Sequence, residues 1–148
     1  MAYQRKWIDE DVDGAGCSRL YVMATNGVTE VVRAMVDAGA GAGVLNKATE
    51  EFGFTPLIMA AHEGHVEVVR CLVEAGADKD KARTDNRATP LFMASQEGHV
   101  EVVRCLVEAG ADKNKATEVG ATPRDVATAA VAGILENTRE RVSGQVSE

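Results

Sequence analysis

The chain has 148 residues, 45% of them hydrophobic but only 4% aromatic, which allows one domain whose core is built from small aliphatic side chains packed at short range. A formal charge of −7 and a sequence pI near 5.0 oppose the counterion release that supplies most nucleic-acid affinity, so no DNA or RNA partner is expected. No run approaches the roughly 20 apolar residues of a membrane span, the first residues form no hydrophobic secretory segment, and Cys17, Cys71 and Cys105 lack zinc or redox spacing, so reduced thiols and an intracellular, cytoplasmic setting away from membranes are expected.

Residues 1–15 read as an N-terminal extension, and a single organised domain is expected over residues 16–142. Its first unit, 16–52, contains the run Gly27-Val28-Thr29-Glu30-Val31-Val32-Arg33-Ala34-Met35-Val36-Asp37-Ala38-Gly39-Ala40, and the glycines at 39, 41 and 43 read as a flexible hairpin. The second unit, 53–86, is the clearest. Thr55 is a good helix N-cap, and Pro56 suits the first helical position, where its missing N–H would have had no partner. Leu57, Met59, Ala60 and Ala61 fill the buried side of this short helix until Gly64, whose tolerance of positive φ suits a stop. In the following helix Val68, Val69, Leu72 and Val73 recur at helical spacing, with Glu67, Arg70 and Glu74 as a solvated row opposite them. Gly76 ends that helix, and the polar stretch from Ala77 to Ala88 reads as an extended loop or hairpin.

The third unit, 87–119, decides the architecture. Thr55-Pro56-Leu57 recurs as Thr89-Pro90-Leu91 at an offset of 34, and the run from Glu63 to Lys79 reappears unchanged from Glu97 to Lys113. The first unit's copy lies 37 positions before the second's, and the fourth unit, 120–142, begins at Thr122-Pro123-Arg124-Asp125-Val126-Ala127, 33 positions after the third. Its turn glycine is displaced to Gly133, so a short or irregular second helix is expected over Ile134 to Val142. Glu136, Arg139, Glu140 and Arg141 would give it a polar closing face, and residues 143–148 read as a frayed tail. No helix this short can bury its apolar face alone, so the units must stack into one continuous core.

The segments Gly53-Phe54-Thr55-Pro56-Leu57, Ala60-Ala61, Gly64-His65 and Gly76-Ala77-Asp78, in that order and at that period, resemble ankyrin repeats over roughly residues 16–130. The resemblance implies an all-α solenoid of about four helix-turn-helix units with projecting hairpin loops, the outer two units being degenerate caps. It also implies a concave surface lined by first helices and hairpins, in a family whose members predominantly bind proteins. The chain departs from the family pattern where a His would follow Thr-Pro-Leu: Ile58 and Phe92 stand there, with Tyr21 and Asp125 at the corresponding outer positions, so the hydroxyl-linked hydrogen bond of that position is expected to be absent. Ser18-Arg19 replaces Thr-Pro in the first unit, and Arg124 replaces Leu in the fourth.

The functional expectation is a monomeric protein–protein interaction module that holds no cofactor or metal, is not an enzyme, and binds a partner protein on the concave face. A structural fragment of a longer repeat array is the alternative, and an enzyme would need a pocket of convergent ionisable groups. The candidate contact residues are Tyr21, Thr25, Asn26, Phe54, Ile58, His62, Glu63, Arg83, Asp85, Phe92, Gln96, Glu97 and Glu118. They follow the edge along which the two central units differ, at Phe54/Ala88, Ile58/Phe92, Ala61/Ser95, His62/Gln96 and Arg83–Arg87 against Thr117–Gly120, while the scaffold positions match. Tyr21, Ile58 and Phe92 form a row of large apolar side chains for which packing between adjacent first helices is favoured over an exposed stripe. Five of the six lysines (Lys47, Lys79, Lys81, Lys113 and Lys115) fall in the hairpins, where acidic neighbours nearly cancel their charge.

Other motifs take structural readings. The spacing of His62 and His65 suggests a metal site, but Gly64 interrupts the helix that would align them, and His65 recurs as the turn residue His99. The Gly39–Gly43 run follows a helix instead of preceding one, unlike a phosphate-cradling loop. Cys71 and Cys105 stand one repeat apart, too distant for a disulfide. Because neighbour contacts stabilise a one-dimensional array, unfolding is expected to begin at the ends. Amides of residues 66–75 and 100–109 should exchange slowest with solvent, and equal protection in the fourth unit would contradict this order.

Overall fold

The computed structural model describes residues 16–146, with side chains as far as Asn137. The expected N-terminal extension (1–15), the end of the tail (147–148), and the side chains of Arg139, Glu140 and Arg141 lie outside the described residues. Eight helices form among the described residues: α1 (Arg19–Thr25), α2 (Thr29–Asp37), α3 (Ala42–Leu45), α4 (Pro56–Glu63), α5 (Val66–Glu74), α6 (Pro90–Glu97), α7 (Val100–Glu108) and α8 (Ala129–Val146). They stack in two layers. The first helices α1, α4 and α6 pack side by side in an inner layer, and α2, α5, α7 and α8 do the same in an outer layer.

Each first helix starts where its sequence dictates. Ser18, Thr55 and Thr89 sit in extended backbone, and each side-chain oxygen accepts a hydrogen bond from the amide three residues on, at Tyr21, Ile58 and Phe92, each at 3.2 Å. Each central first helix ends at a glycine in left-handed backbone, Gly64 (φ 79°) and Gly98 (φ 74°). The helices then fill one core: Leu20, Leu57 and Leu91 from the inner layer meet Val32, Met35, Val69, Leu72, Val103 and Leu106 from the outer layer, all at 1% exposure or less.

Four polar contacts repeat across the unit boundaries. His65 Nε2 donates to the Thr25 carbonyl at 2.9 Å, and His99 Nε2 to the His62 carbonyl at 2.8 Å, so each turn histidine fastens its unit to the end of the preceding first helix. The Asn46 side chain accepts from the Asp78 amide at 2.7 Å, and the Asp80 side chain from the Asp112 amide at 2.8 Å. Lys81 Nζ donates to the Asn46 carbonyl and Lys115 Nζ to the Asp80 carbonyl, which explains much of the lysine content of the hairpins. At the hairpin tips the Thr84 amide donates to the Phe52 carbonyl and the Glu118 amide to the Asn86 carbonyl. On the outer surface Arg70 pairs with Glu67 at 3.1 Å, but both side chains are more than half exposed, so the pair adds little.

Three expectations need correction. The glycine-rich stretch after α2 is not a flexible hairpin: it forms the one-turn helix α3, because Val44 and Leu45 directly follow the glycines and bury into the core. The three extra residues of the first unit are absorbed there. The fourth unit's second helix is neither short nor delayed to Ile134. α8 begins at Ala129 and runs 18 residues to Val146, so Gly133 lies within it. The turn marker in this unit is Thr128, which lies beside Gly98 as His99 lies beside Gly64. Thr128 stands only 29 positions after His99, and this shortening leaves residues 123–126 as a turn with no first helix. Finally, the hydroxyl-linked hydrogen bond expected to be missing is present in this unit, where Thr122 Oγ1 donates to Asp125 Oδ2 at 2.8 Å. The Thr122 amide donates to the same oxygen, and these two bonds hold the Asp125 carboxyl below the usual carboxylate range.

The turn histidines set a specific demand on the glycine of the preceding unit. A Cβ at Gly64 would lie 2.7 Å from the His99 ring, whereas one at Gly76 (φ 95°) would meet nothing within 4 Å. Both alanine substitutions strain the backbone by about 1 kcal/mol. Gly64→Ala should cost at least about 1 kcal/mol more than Gly76→Ala, since it also displaces the histidine hydrogen bond. Chemical denaturation of the two variants checks this, and equal losses would show that the ring contact contributes nothing.

Candidate protein-binding surface

The candidate residues fall into two exposed groups joined by a buried row. The first group lies at the C-terminal ends of the first helices: Thr25 and Asn26 after α1, His62 and Glu63 on α4, Gln96 and Glu97 on α6. His62 links two units here, its Nδ1 donating to Glu63 Oε1 at 3.0 Å while its Nε2 lies 3.7 Å from Glu97 Oε1. Thr25 is half-buried, its hydroxyl donating to the Tyr21 carbonyl at 2.8 Å, and Asn26 is exposed.

The second group lies in the hairpins, about one first-helix length away, roughly 12 Å for eight residues. The Arg83 guanidinium sits 4.2 Å from the centre of the Phe54 ring and is ion-paired with Asp85. Arg83 therefore braces its own hairpin, and Asp85 and Glu118 are the exposed members of the group.

Between the groups, the structure packs the apolar row that sequence reasoning left open between two roles. Ile58 is fully buried and Phe92 is 7% exposed, in a cluster with Ala88 and Met93 that Phe54, Ala121 and Val126 cover. Tyr21 is half-buried. Ile58 and Phe92 thus support the inner layer from within and offer a partner almost no surface. The Ala61/Ser95 difference is likewise internal, since both residues are fully buried, and the Ser95 hydroxyl has no hydrogen-bond partner among the described residues.

Sequence reasoning missed three features of the hairpins. Phe52, 41% exposed, packs its ring edge-on against Phe54 at 6.2 Å, and Val119 is 90% exposed. Both are apolar side chains in otherwise polar tips, and the 34-residue offset that aligns Val119 with Asp85 was signal enough to find the second. Arg87 is the third. It adopts left-handed backbone (φ 63°) at the position where the preceding unit has Gly53 (φ 70°), a conformation that costs a residue with a side chain about 1–2 kcal/mol.

Two shallow grooves on the outer layer carry different chemistry. One of about 330 Å³ between α2 and α5 is lined by Arg33, Asp37, Glu67, Arg70, Cys71 and Glu74, and one of about 410 Å³ between α7 and α8 includes Arg104, Val107, Gly133 and Ile134. Burial pushes the Cys71 thiol up, an effect that the Arg33 guanidinium only partly opposes, and Cys105 is raised likewise against Arg70. A thiol kept protonated in this way is the opposite of an activated nucleophile. Cys71 and Cys105 are free thiols.

The family model described as Ankyrin repeats (3 copies) matches residues 20–117, from α1 through the hairpin after α7. No curated protein matches the chain. Among the described residues no helix is long and apolar enough to cross a membrane.

The packed row is directly testable. Phe92→Ala should destabilise the chain by about 3 kcal/mol, seen as a melting temperature lowered by roughly 10 °C. An unchanged melting temperature combined with lost partner capture would mean that Phe92 is a contact residue after all.

Proposed function

The chain belongs to the ankyrin-repeat family, whose repeats are generally protein–protein interaction modules, and we propose that it binds a partner protein along the inner face formed by its first helices and hairpins. One observation carries this reading. The central units have identical outer helices, and every position at which the units differ lies in a first helix or a hairpin. The part of that difference that reaches solvent comprises half-buried His62 against exposed Gln96 at the helix ends and, in the hairpins, Arg87, Asp80/Asn114, and 84–86 against 118–120. The differences at Ile58/Phe92 and Ala61/Ser95 are internal and belong to packing, but the differences that reach solvent all lie on the inner edge, which fits surface fitted to something outside the chain.

The contact set that follows is Thr25, Asn26, His62, Glu63, Gln96 and Glu97 at the helix ends, with Asp85 and Glu118 in the hairpins and Phe54 and Arg83 shaping the latter. The helix-end row carries two carboxylates and the outer helices α2, α5 and α7 each carry one net negative charge, while hairpin charges nearly cancel. The partner therefore approaches a surface that is acidic at one rim and mixed, with exposed Phe52 and Val119, at the other. The family is typically a non-enzymatic scaffold, and one chain acting alone as such a scaffold fits this arrangement.

Reversing charge on the two faces separates the possibilities. The double variant Gln96→Lys with Glu97→Lys should weaken capture of the partner that the unaltered chain recovers from a native lysate by about tenfold or more, with little change in melting temperature. Arg104→Glu, on the outer layer, should leave capture intact. The reverse pattern would move the binding surface to the outer helices.

A further inference from the structure

Most serines and threonines of this fold are used by the backbone or the core. Ser18, Thr55 and Thr89 cap first helices, Thr117 receives the Ala121 amide, and Ser95 is fully buried. Among the serines and threonines whose side chains are described, only Thr84 and Thr128 are exposed. Their surroundings differ. The nearest cation to Thr128 in sequence is Arg124, which is paired with Glu136 at 2.6 Å. Thr84, at the tip of the central hairpin, has Lys81 and Arg83 before it and Arg87 after it.

In the neighbouring tips the position of Thr84 holds an anion. Glu50 and Glu118 stand there, each at the 34-residue offset. A Cβ at Gly16 would lie 3.0 Å from Glu50 Cγ, and one at Gly53 would lie 2.7 Å from Thr84 Cγ2, so Glu50 and Thr84 lean on the preceding tip in the same way. A phosphothreonine carries its charged oxygens through as many bonds as a glutamate does, and so occupies the space that Glu50 already fills one unit earlier. The cations around Thr84 are unevenly used. Lys81 donates to the Asn46 carbonyl and Arg83 is ion-paired with Asp85, but exposed Arg87 has no hydrogen bond or ion pair among the described residues. Residues 84–86 form a turn tied to the preceding hairpin through the Thr84 amide, 3.1 Å from the Phe52 carbonyl, and the left-handed backbone at Arg87 lowers the cost of opening that turn into an enzyme cleft.

We propose that Thr84 is a phosphorylation site, read by a protein kinase through the basic residues around it, and that the phosphate reverses the charge of the central hairpin tip. The γ-phosphorus of a nucleoside triphosphate bonds to Thr84 Oγ1 as its bond to the nucleoside diphosphate breaks. The diphosphate keeps the bonding electron pair, and the hydroxyl proton passes to the catalytic carboxylate of the kinase. An acidic substrate cleft selects Lys81, Arg83 and Arg87 by charge. Arg83, Asp85 and Arg87 leave the unmodified tip one net positive charge, and a phosphate of about −1.5 to −2 at neutral pH reverses it. Glu50, Glu51 and Glu118 already make the outer tips acidic, so all three tips then carry the same sign, and Arg87 gains an anionic partner. The consequence for binding rests on the reading that a partner meets the hairpins, because it is their mixed charge that phosphorylation removes.

Incubating the full chain with ATP and a kinase selective for basic residues around the acceptor should place phosphate on Thr84, and Thr84→Ala should lose nearly all of the label with an unchanged melting temperature. Label that persists undiminished in Thr84→Ala would overturn the proposal, and so would a folded chain that takes up none. In the phosphorylated chain the second ionisation of the phosphate, followed by phosphorus NMR, should fall below that of free phosphothreonine by about half a pH unit or more, and Arg87→Ala should return most of that shift. An unshifted titration would overturn the pairing with Arg87. Neither readout needs the partner, so their failure strikes the site, whereas failure of the Gln96→Lys, Glu97→Lys double variant to weaken capture strikes the binding surface. Where that double variant does weaken capture, complete phosphorylation of Thr84 should weaken it severalfold as well. Equal capture by the two forms would overturn the regulatory role.

Discussion

Everything in this molecule depends on the contact between one unit and the next. A first helix of eight residues and a second of nine are each below the length, about 12–15 residues, at which a helix persists alone in water. Their stability comes from stacking, which buries the leucine row of the inner layer and the valine-leucine row of the outer layer in one core. Directional bonds then fix the register of that stack. Each turn histidine reaches the preceding first helix, each Asn46-type side chain receives an amide from the next unit, and each Lys81-type ammonium caps a carbonyl of the unit before it. These bonds set spacing and orientation at every boundary, which the apolar contacts alone would leave loose.

This constraint divides the surface into two kinds of position. Residues that touch both neighbours are held to one solution, so α5 and α7 have the same sequence, down to Cys71 and Cys105, each lying against the arginine of the preceding unit. Residues on the inner edge touch only one neighbour or none. Even there stacking intrudes, since Ile58 and Phe92 differ between units yet are buried. That difference adjusts how adjacent first helices fill the space between them, whereas His62, Gln96 and the hairpin tips differ where solvent reaches them. The strained backbone at Arg87 is of the same exposed kind, because a glycine would serve the hairpin better.

Most of the fold was legible because its signals are local and repeated. Thr55 and Thr89 as caps, Pro56 and Pro90 after them, and Gly64 and Gly98 as left-handed stops each follow from one residue's stereochemistry, and the 34-residue offset supplied the stacking. The ends were less legible because they depart from the period. α3 arises from burial of Val44 and Leu45, a tertiary effect that overrides the glycines before them, and α8 starts early because Thr128 takes the place of a turn histidine, a substitution no spacing rule anticipates. The Asp125 bond was missed by asking only for histidine, although a carboxylate accepts from a threonine hydroxyl equally well. At the binding edge, the position of each residue was readable, but exposure was not. Whether Ile58 faces solvent depends on Phe54, Ala88 and Phe92 around it, which a single helix pattern does not contain.

The central claim is that the boundary between units, and not the unit itself, holds the structure. The most direct test compares far-ultraviolet circular dichroism of the isolated second unit, residues 53–86, with that of the whole chain. The account requires the isolated unit to lack stable helix in water at any concentration where it remains monomeric, while the whole chain is helical and melts cooperatively. A monomeric 53–86 fragment with the helix content of the intact repeat and a cooperative melt of its own would contradict it.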